Sequence, residues 1–225
     1  MRLNVERAID SQLEELKKHI LIMGGHVEKA LHEVILALLK KEEHRFDSVH
    51  KIEDLINEDQ VRVDNFCIQI LAKQSPVAKD LRMIMSIIKI NTDLERMGDQ
   101  ATNIAYTAQD YLKRNPVPQA KVLVKMSETV RTMVKESLDS FVRGDVDLAK
   151  KILLMDDEVD STKNQVFRDL TEHMKKNSQD VEASLDVILM ARNLERLGDH
   201  ATNIAEDVIY AITGHDIRHG GVYDR

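Results

Sequence analysis

The sequence predicts an all-α protein of two tandem antiparallel three-helix bundles related by internal duplication. Three observations lead there. Glycine and proline number only 8 and 3 in 225 residues, while 43% of residues are apolar and 32% charged, a balance that suits long helices and excludes collagen, disorder and turn-dense β folds. Apolar residues recur at steps of three and four over long stretches. A twelve-residue segment, Leu94 to Ala105, returns as Leu194 to Ala205 with ten of twelve residues identical at an offset of 100, which is the mark of a repeat.

Sparse glycine and proline work as punctuation. The first helix is expected from about Val5 to Lys40, with Leu13, Leu16, Ile20, Met23, Val27, Leu31, Val34 and Leu38 on one face. Gly24 and Gly25 interrupt it at a cost of about 1 kcal/mol each relative to Ala, and close packing of another helix is the expected reason. The second helix spans about Glu43 to Lys73, and Ser75-Pro76 reads as an N-cap and first turn of a third that ends near Arg114. Asn115-Pro116-Val117-Pro118 cannot continue a helix and marks the boundary between a first unit, residues 1–115, and a second, residues 116–213. A fourth helix follows from about Gln119 to Arg143. Gly144-Asp145 supplies a C′ glycine and an N-cap, a fifth helix continues to about Lys176, and Asn177-Ser178 caps a sixth reaching Thr213. Residues 214–225 read as a frayed tail.

The core faces of the signature helices are expected to be Met83, Ile87, Ile90, Leu94, Met97, Ala101, Ile104 and Ala108 in one, and Met190, Leu194, Leu197, Ala201, Ile204, Val208 and Ile212 in the other. Helices of about 30 residues would be about 45 Å long, which makes a flat, elongated slab. Asp145 to Asp160 also aligns with Glu42 to Asn57 at an offset of 103.

Away from the core face, Glu95, Asp99 and Asn103 lie four residues apart, and Glu195, Asp199 and Asn203 repeat them. Each set lines one stripe of its helix. With the second and fifth helices antiparallel beside them, Glu53 and Asn57 would face the first set and Asp156 and Asp160 the second. Carboxylate and amide oxygens without sulfur suit hard or borderline cations such as Mg, Ca, Mn or iron, and exclude zinc held by thiolates. Glu and Asp spaced by four beside Arg96 or Arg196 are also ordinary on a solvated helix face, so both readings stand at this point. Gly98 and Gly198 within the same helices point to the close approach of another helix or of a ligand.

The net charge of −7 and the 4% aromatic content, with no Trp, argue against nucleic-acid binding. No apolar run is long enough to span a membrane, and the first residues lack a signal-peptide core, so a soluble, cytoplasmic protein is expected. Cys67, among Phe66, Ile68 and Ile70, reads as a buried thiol, and His200 as a surface polar group. His215 and His219 lie four apart in the tail, where no preformed site is expected. No Glu is followed three residues later by His, which argues against a ferritin-type oxidase. A two-metal phosphohydrolase is the alternative enzymatic reading.

The repeated Leu-Glu-Arg-x-Gly-Asp-x-Ala-x-Asn-Ile helix, Met23 to Val27, Ala72 to Pro76 and Asp80-Leu81-Arg82 together resemble the PhoU family of phosphate-uptake regulators over nearly the whole chain. The resemblance implies a non-enzymatic cytoplasmic regulator that restrains phosphate-starvation signalling. It implies contacts with the ATPase subunit of the phosphate ABC transporter and with a phosphate-sensing histidine kinase; a homodimer is expected of an elongated helical slab. Some relatives carry metal clusters on Glu/Asp-x-x-x-Asp pairs, with iron the first expectation and Mg, Mn, Ca or Zn open. Glu95 with Asp99, Asp156 with Asp160 and Glu195 with Asp199 match that pattern. Glu53 is followed by Asn57 instead of aspartate, so the first cluster is one charge poorer.

Overall fold

The computed structural model describes residues 7–117 and 119–218. Among the described residues there are six long helices: α1 (Ala8–Lys40), α2 (His44–Lys73), α3 (Ala78–Tyr111), α4 (Ala120–Arg143), α5 (Val146–Lys176) and α6 (Val181–Thr213). Val5, the expected start of the first helix, lies outside the described residues. Helices α1, α2 and α3 pack on one another, as do α4, α5 and α6, and the most extensive pairing in the molecule is between α3 and α6. These contacts order α2, α3, α6 and α5 in one layer and lay α1 beside α4 in a second.

The periodicity buries the residues it should. The expected core face of α3 is buried throughout, and so is that of α6 up to Val208. Ile212 is the exception. It is 38% exposed, at the edge of the last turn of α6 beside Gly144, while Ile209 and Ala211 of the same turn are buried. A single buried stripe does not describe α3, which also buries Ser86, Asn91, Gln100 and Thr102. It packs against α1 and α2 on one side and α6 on the other. One continuous apolar core therefore runs through both bundles.

Local signals fix the helix ends, with corrections. Asp145 caps α5 by accepting from the backbone N–H groups of Asp147 and Leu148 at 3.1 and 3.0 Å, and Gly144 before it takes the left-handed φ of 63° that ends α4. Ser75 is not the N-cap of α3. The helix starts at Ala78, and the Val77 N–H donates to the carboxylate of Asp80 at 3.2 Å, which Arg7 also holds with two bonds of 2.9 Å. The buried Asp80 thus satisfies the helix start from inside the first turn. Ser178 opens a short 3-10 turn, Ser178–Asp180, before α6 begins. The tail is folded back as far as it is described. Ile217 packs on the core, and Arg218 pairs with Asp216 and approaches Asp207 at 3.9 Å. His219, Gly220 and Gly221 lie outside the described residues.

The paired glycines of α1 have different reasons. A Cβ at Gly24 would fall onto the Leu138 side chain of α4, so this glycine lets the two helices meet, whereas a Cβ at Gly25 would have no neighbour within 4 Å.

Candidate functional site

The two signature stripes stand in the grooves that α3 and α6 form with their outer neighbours. In the first repeat α2 runs antiparallel to α3, and Gly98 brings them together: a Cβ there would lie 3.0 Å from Cδ1 of Ile56. This approach places Glu53 beside Glu95 and Asp99. Burial pushes the Glu95 carboxyl up, and the charges of Asp99 and Glu53 push it further. Asn57 donates to Glu53 at 3.1 Å, and Arg96 stands 3.6 Å from Glu95 and 3.7 Å from Asp99. Asn103 is exposed at the end of the stripe.

In the second repeat, Asp156 and Asp160 of α5 meet Glu195 and Asp199 of α6. Burial, then Glu195, Asp156 and Asp160, push Asp199 up to about 6. Asp156 is raised by burial and by Asp160, Asp157 and Glu195. Lys163 reaches into the group, donating to Glu195 at 3.0 Å and pairing with Asp160 at 3.1 Å. Among the described residues, neither Asp156 nor Asp199 has an ion pair. Four carboxylates therefore share one lysine, and their mutual repulsion raises their affinity for a proton. A Cβ at Gly198 would be in ordinary contact at 3.5 Å from Val159 and 3.6 Å from a carboxylate oxygen of Asp156, so this glycine sits at the edge of the acidic group without being forced by packing.

The donor chemistry suits a hard or borderline cation, but the side chains are not assembled around one. Among the described residues, no three His, Cys, Asp or Glu groups stand close enough to hold a metal ion as placed. Asn203 is drawn elsewhere, donating to Asp93 of α3 at 3.2 Å.

Sequence reasoning missed the seam between the repeats. His200 is not a surface polar group: its Nδ1 lies 2.8 Å from Asp93 of α3, and both side chains are largely covered. Further along, Lys89 donates to the buried Asp207 at 3.0 Å, and Ser86 donates to the Asp207 carbonyl at 3.2 Å. At the other end, Arg114 stands 3.1 Å from Glu182 and 3.2 Å from Asp186. The signal for His200 was present: the repeat replaces Gln100 with His200 and Asn193 with Asp93, a coupled change to an ionisable pair. Cys67 is buried as expected, and burial pushes its thiol up to about 12, which keeps it unreactive. No described helix is long and apolar enough to cross a membrane.

Comparison with known proteins places the chain. The PhoU domain model matches twice, over residues 20–108 and 123–208. The chain is 38% identical over 220 residues to a phosphate-specific transport system accessory protein PhoU homolog from Pseudomonas putida, covering 97% of this chain and 86% of that protein. It is 33% identical over 218 residues to the Escherichia coli (strain K12) accessory protein PhoU, covering 97% and 90%. Among solved structures, PhoU from Pseudomonas aeruginosa superposes with a TM-score of 0.87 at 38% identity, covering 91% of this chain and 99% of that one. The phosphate transport system regulatory protein PhoU from Streptococcus pneumoniae gives 0.86 at 27% identity, covering 92% and 98%. With duplicated domain, fold and signature helices in agreement, the chain belongs to the PhoU family.

Proposed function

We propose that this protein is a cytoplasmic, non-enzymatic regulator that restrains phosphate-starvation signalling, docking to the ATPase subunit of the phosphate ABC transporter and to a phosphate-sensing histidine kinase. Family membership gives it a part in phosphate-transport regulation, and the relatives are named as accessory proteins of that transport system. The docking partners are the finer part of the proposal. Long, rigid helices joined by one core support it, since such a body presents extended faces without needing to deform.

The second acidic group is the proposed metal site, with iron the first candidate. The observation that carries this is the crowding of Asp156, Asp160 and Glu195 around Asp199, with Lys163 the one cation ion-paired to the group among the described residues. A cation held there would offset that repulsion. Asp156, Asp160, Glu195 and Asp199 would hold it, and Lys163 would have to swing away, so occupancy would free the Lys163 ammonium from its carboxylates and make that face more positive. The first group, with Asn57 in place of a carboxylate, would bind more weakly.

Purification of the untagged protein from its host, with metal measured in the same sample, tests both parts. The transporter ATPase or the kinase should co-purify, with metal lost in an Asp156→Asn/Asp199→Asn variant. Absence of both partners from gently prepared samples would overturn the docking reading. Turnover of a phosphoester by metal-loaded protein would overturn the non-enzymatic one.

A further inference from the structure

Eighteen residues make about five turns of a helix, so Leu81 of α3 points the same way as Asp99, and Val181 of α6 the same way as Asp199. The face that carries the two acidic groups therefore also carries two apolar rows: Leu81, Met85 and Ile88 in one repeat, and Val181, Leu185 and Ile188 in the other. Leu81 and Met85 are each 43% exposed and Leu185 is 47% exposed, so the rows are not spent on the core. The outer helices extend them. Asp64 at Asn91 sets α2 beside α3 and brings the exposed Ile68 level with Met85, and Lys163 at Glu195 puts the exposed Phe167 one turn further toward the second row. Because α3 and α6 run antiparallel, with Ser86 at Asp207, Asp93 at His200 and Arg114 at Glu182, the two rows lie at opposite ends of the face, about 35 Å apart. Beside Ile88 the seam opens into a cleft of about 590 Å³ between Thr92 of α3 and Asn203 and Glu206 of α6.

A single exposed apolar side chain is ordinary, whereas matching apolar rows at exposed positions of both repeats, each with an exposed neighbour on the outer helix, mark a contact surface. Between the rows the face is acidic. The seven carboxylates of the two acidic groups outnumber the cations on the same stretch, Arg96, Arg192, Arg196 and Lys163. The layer as a whole is unbalanced the same way, since α2, α3, α5 and α6 carry sixteen Lys and Arg against twenty-four Asp and Glu. A second copy laid face to face would set one acidic centre against the other, and an anionic lipid surface would be repelled as well. The charge selects a basic protein.

We infer that the outer face of the α2, α3, α6 and α5 layer docks a long basic helix of a partner protein, with apolar residues at its two ends and Lys or Arg between them. A helix of about 25 residues is long enough to reach from one row to the other. Its apolar ends lie on the Met85 and Leu185 rows, and its central cations face Asp99 and Asp199. This rests on the docking reading above and adds the face used and the chemistry of the partner. A metal ion at the second acidic group would reduce the excess of negative charge, so metal and partner compete for this face.

The test uses the full chain, metal-free and isotope-labelled for NMR, and two synthetic twenty-five-residue helices with leucines in the first and last two turns, one with Lys between them and the other with Glu. The Lys peptide should bind at least tenfold tighter than the Glu peptide and shift amide signals within residues 81–103 and 181–203. Met85→Gln/Leu185→Gln should weaken it at least tenfold, and Asp99→Asn/Asp199→Asn severalfold, each with an unchanged circular dichroism spectrum. Equal binding of the two peptides, or shifts confined to α1 and α4, would overturn the inference. So would self-association of the chain through this face, or phosphatidylglycerol vesicles binding it in preference to the Lys peptide. Peptide binding on this face without co-purification of any transporter ATPase or kinase sinks the docking reading alone, and co-purification that survives Met85→Gln/Leu185→Gln sinks the face alone.

Discussion

The two acidic groups descend from one duplicated segment, yet they have diverged in how much the surrounding fold constrains them. In the first repeat α2 presses Ile56 onto Gly98, Asn57 is bound to Glu53, and Arg96 stands near Glu95 and Asp99. In the second, Gly198 has room, four carboxylates converge, and Lys163 alone bridges two of them. A second divergence lies at the seam, where Gln100 and Asn193 in one position correspond to His200 and Asp93 in the other. Duplication kept the scaffold residues and let the charge assignments drift. One copy is a packed contact, and the other is a set of crowded carboxylates around Lys163.

The comparison breaks most visibly at the seam. His200→Ala should destabilise the protein by about 2 kcal/mol in denaturant unfolding, because it strips the largely covered Asp93 of one partner. The double variant His200→Gln/Asp93→Asn, which copies the other repeat, should recover at least half of that loss. Equal stability of the single and double variants would show that the pair contributes nothing specific.

Next in size is metal affinity. Asp160→Asn makes the second group resemble the first and should weaken Mn or Fe(II) binding about tenfold by calorimetry, since affinity follows ligand charge; Asn57→Asp should strengthen the first group by a similar factor. Unchanged isotherms for both would remove the metal proposal.

The glycines give opposite signs. Gly98→Ala should cost about 1 kcal/mol, because a Cβ 3.0 Å from Ile56 overpacks a buried contact by more than the helix gains. Gly198→Ala should stabilise the metal-free protein by up to about 1 kcal/mol through helix propensity alone. The same sign in thermal melts would erase the packing distinction.

The smallest effect concerns pH. A carboxyl raised to about 6 in the folded chain favours folding while it is protonated, so its contribution is complete below the unfolded value near 3.8 and is lost as pH rises through about 6. For Asp199, which is partly exposed, solvent screening limits the effect to under about 1 kcal/mol. Asp199→Asn should therefore raise the melting temperature of metal-free protein slightly at pH 7 and leave it unchanged near pH 4. A fall at pH 7 would mean the carboxylate is stabilising where it stands.

The faces of α3 and α6 were readable because a helix turns by a fixed angle per residue. Leu94, Met97 and Ala101 therefore had to share a side whatever they packed against. The same spacing aligned Glu195 with Asp199, and the repeat itself announced the duplication. Helix starts were less legible: at Ser75-Pro76 the local signal was sound, but Asp80, anchored by Arg7 from a distant part of the chain, satisfied the helix start two residues later.

By itself, then, the sequence determined the helices, their buried stripes, the duplication and the four-residue spacing of the acidic side chains, all of which follow from spacing along one chain. Only the tertiary structure decided that α3 and α6 form the central seam, that His200 meets Asp93 there, that Lys163 lies among the second set of carboxylates, and that α1 and α4 meet at Gly24. Those are distances between residues far apart in the chain. Periodicity says which side of a helix is apolar, but the helix it will face, and how closely, is set by the packing of all six together.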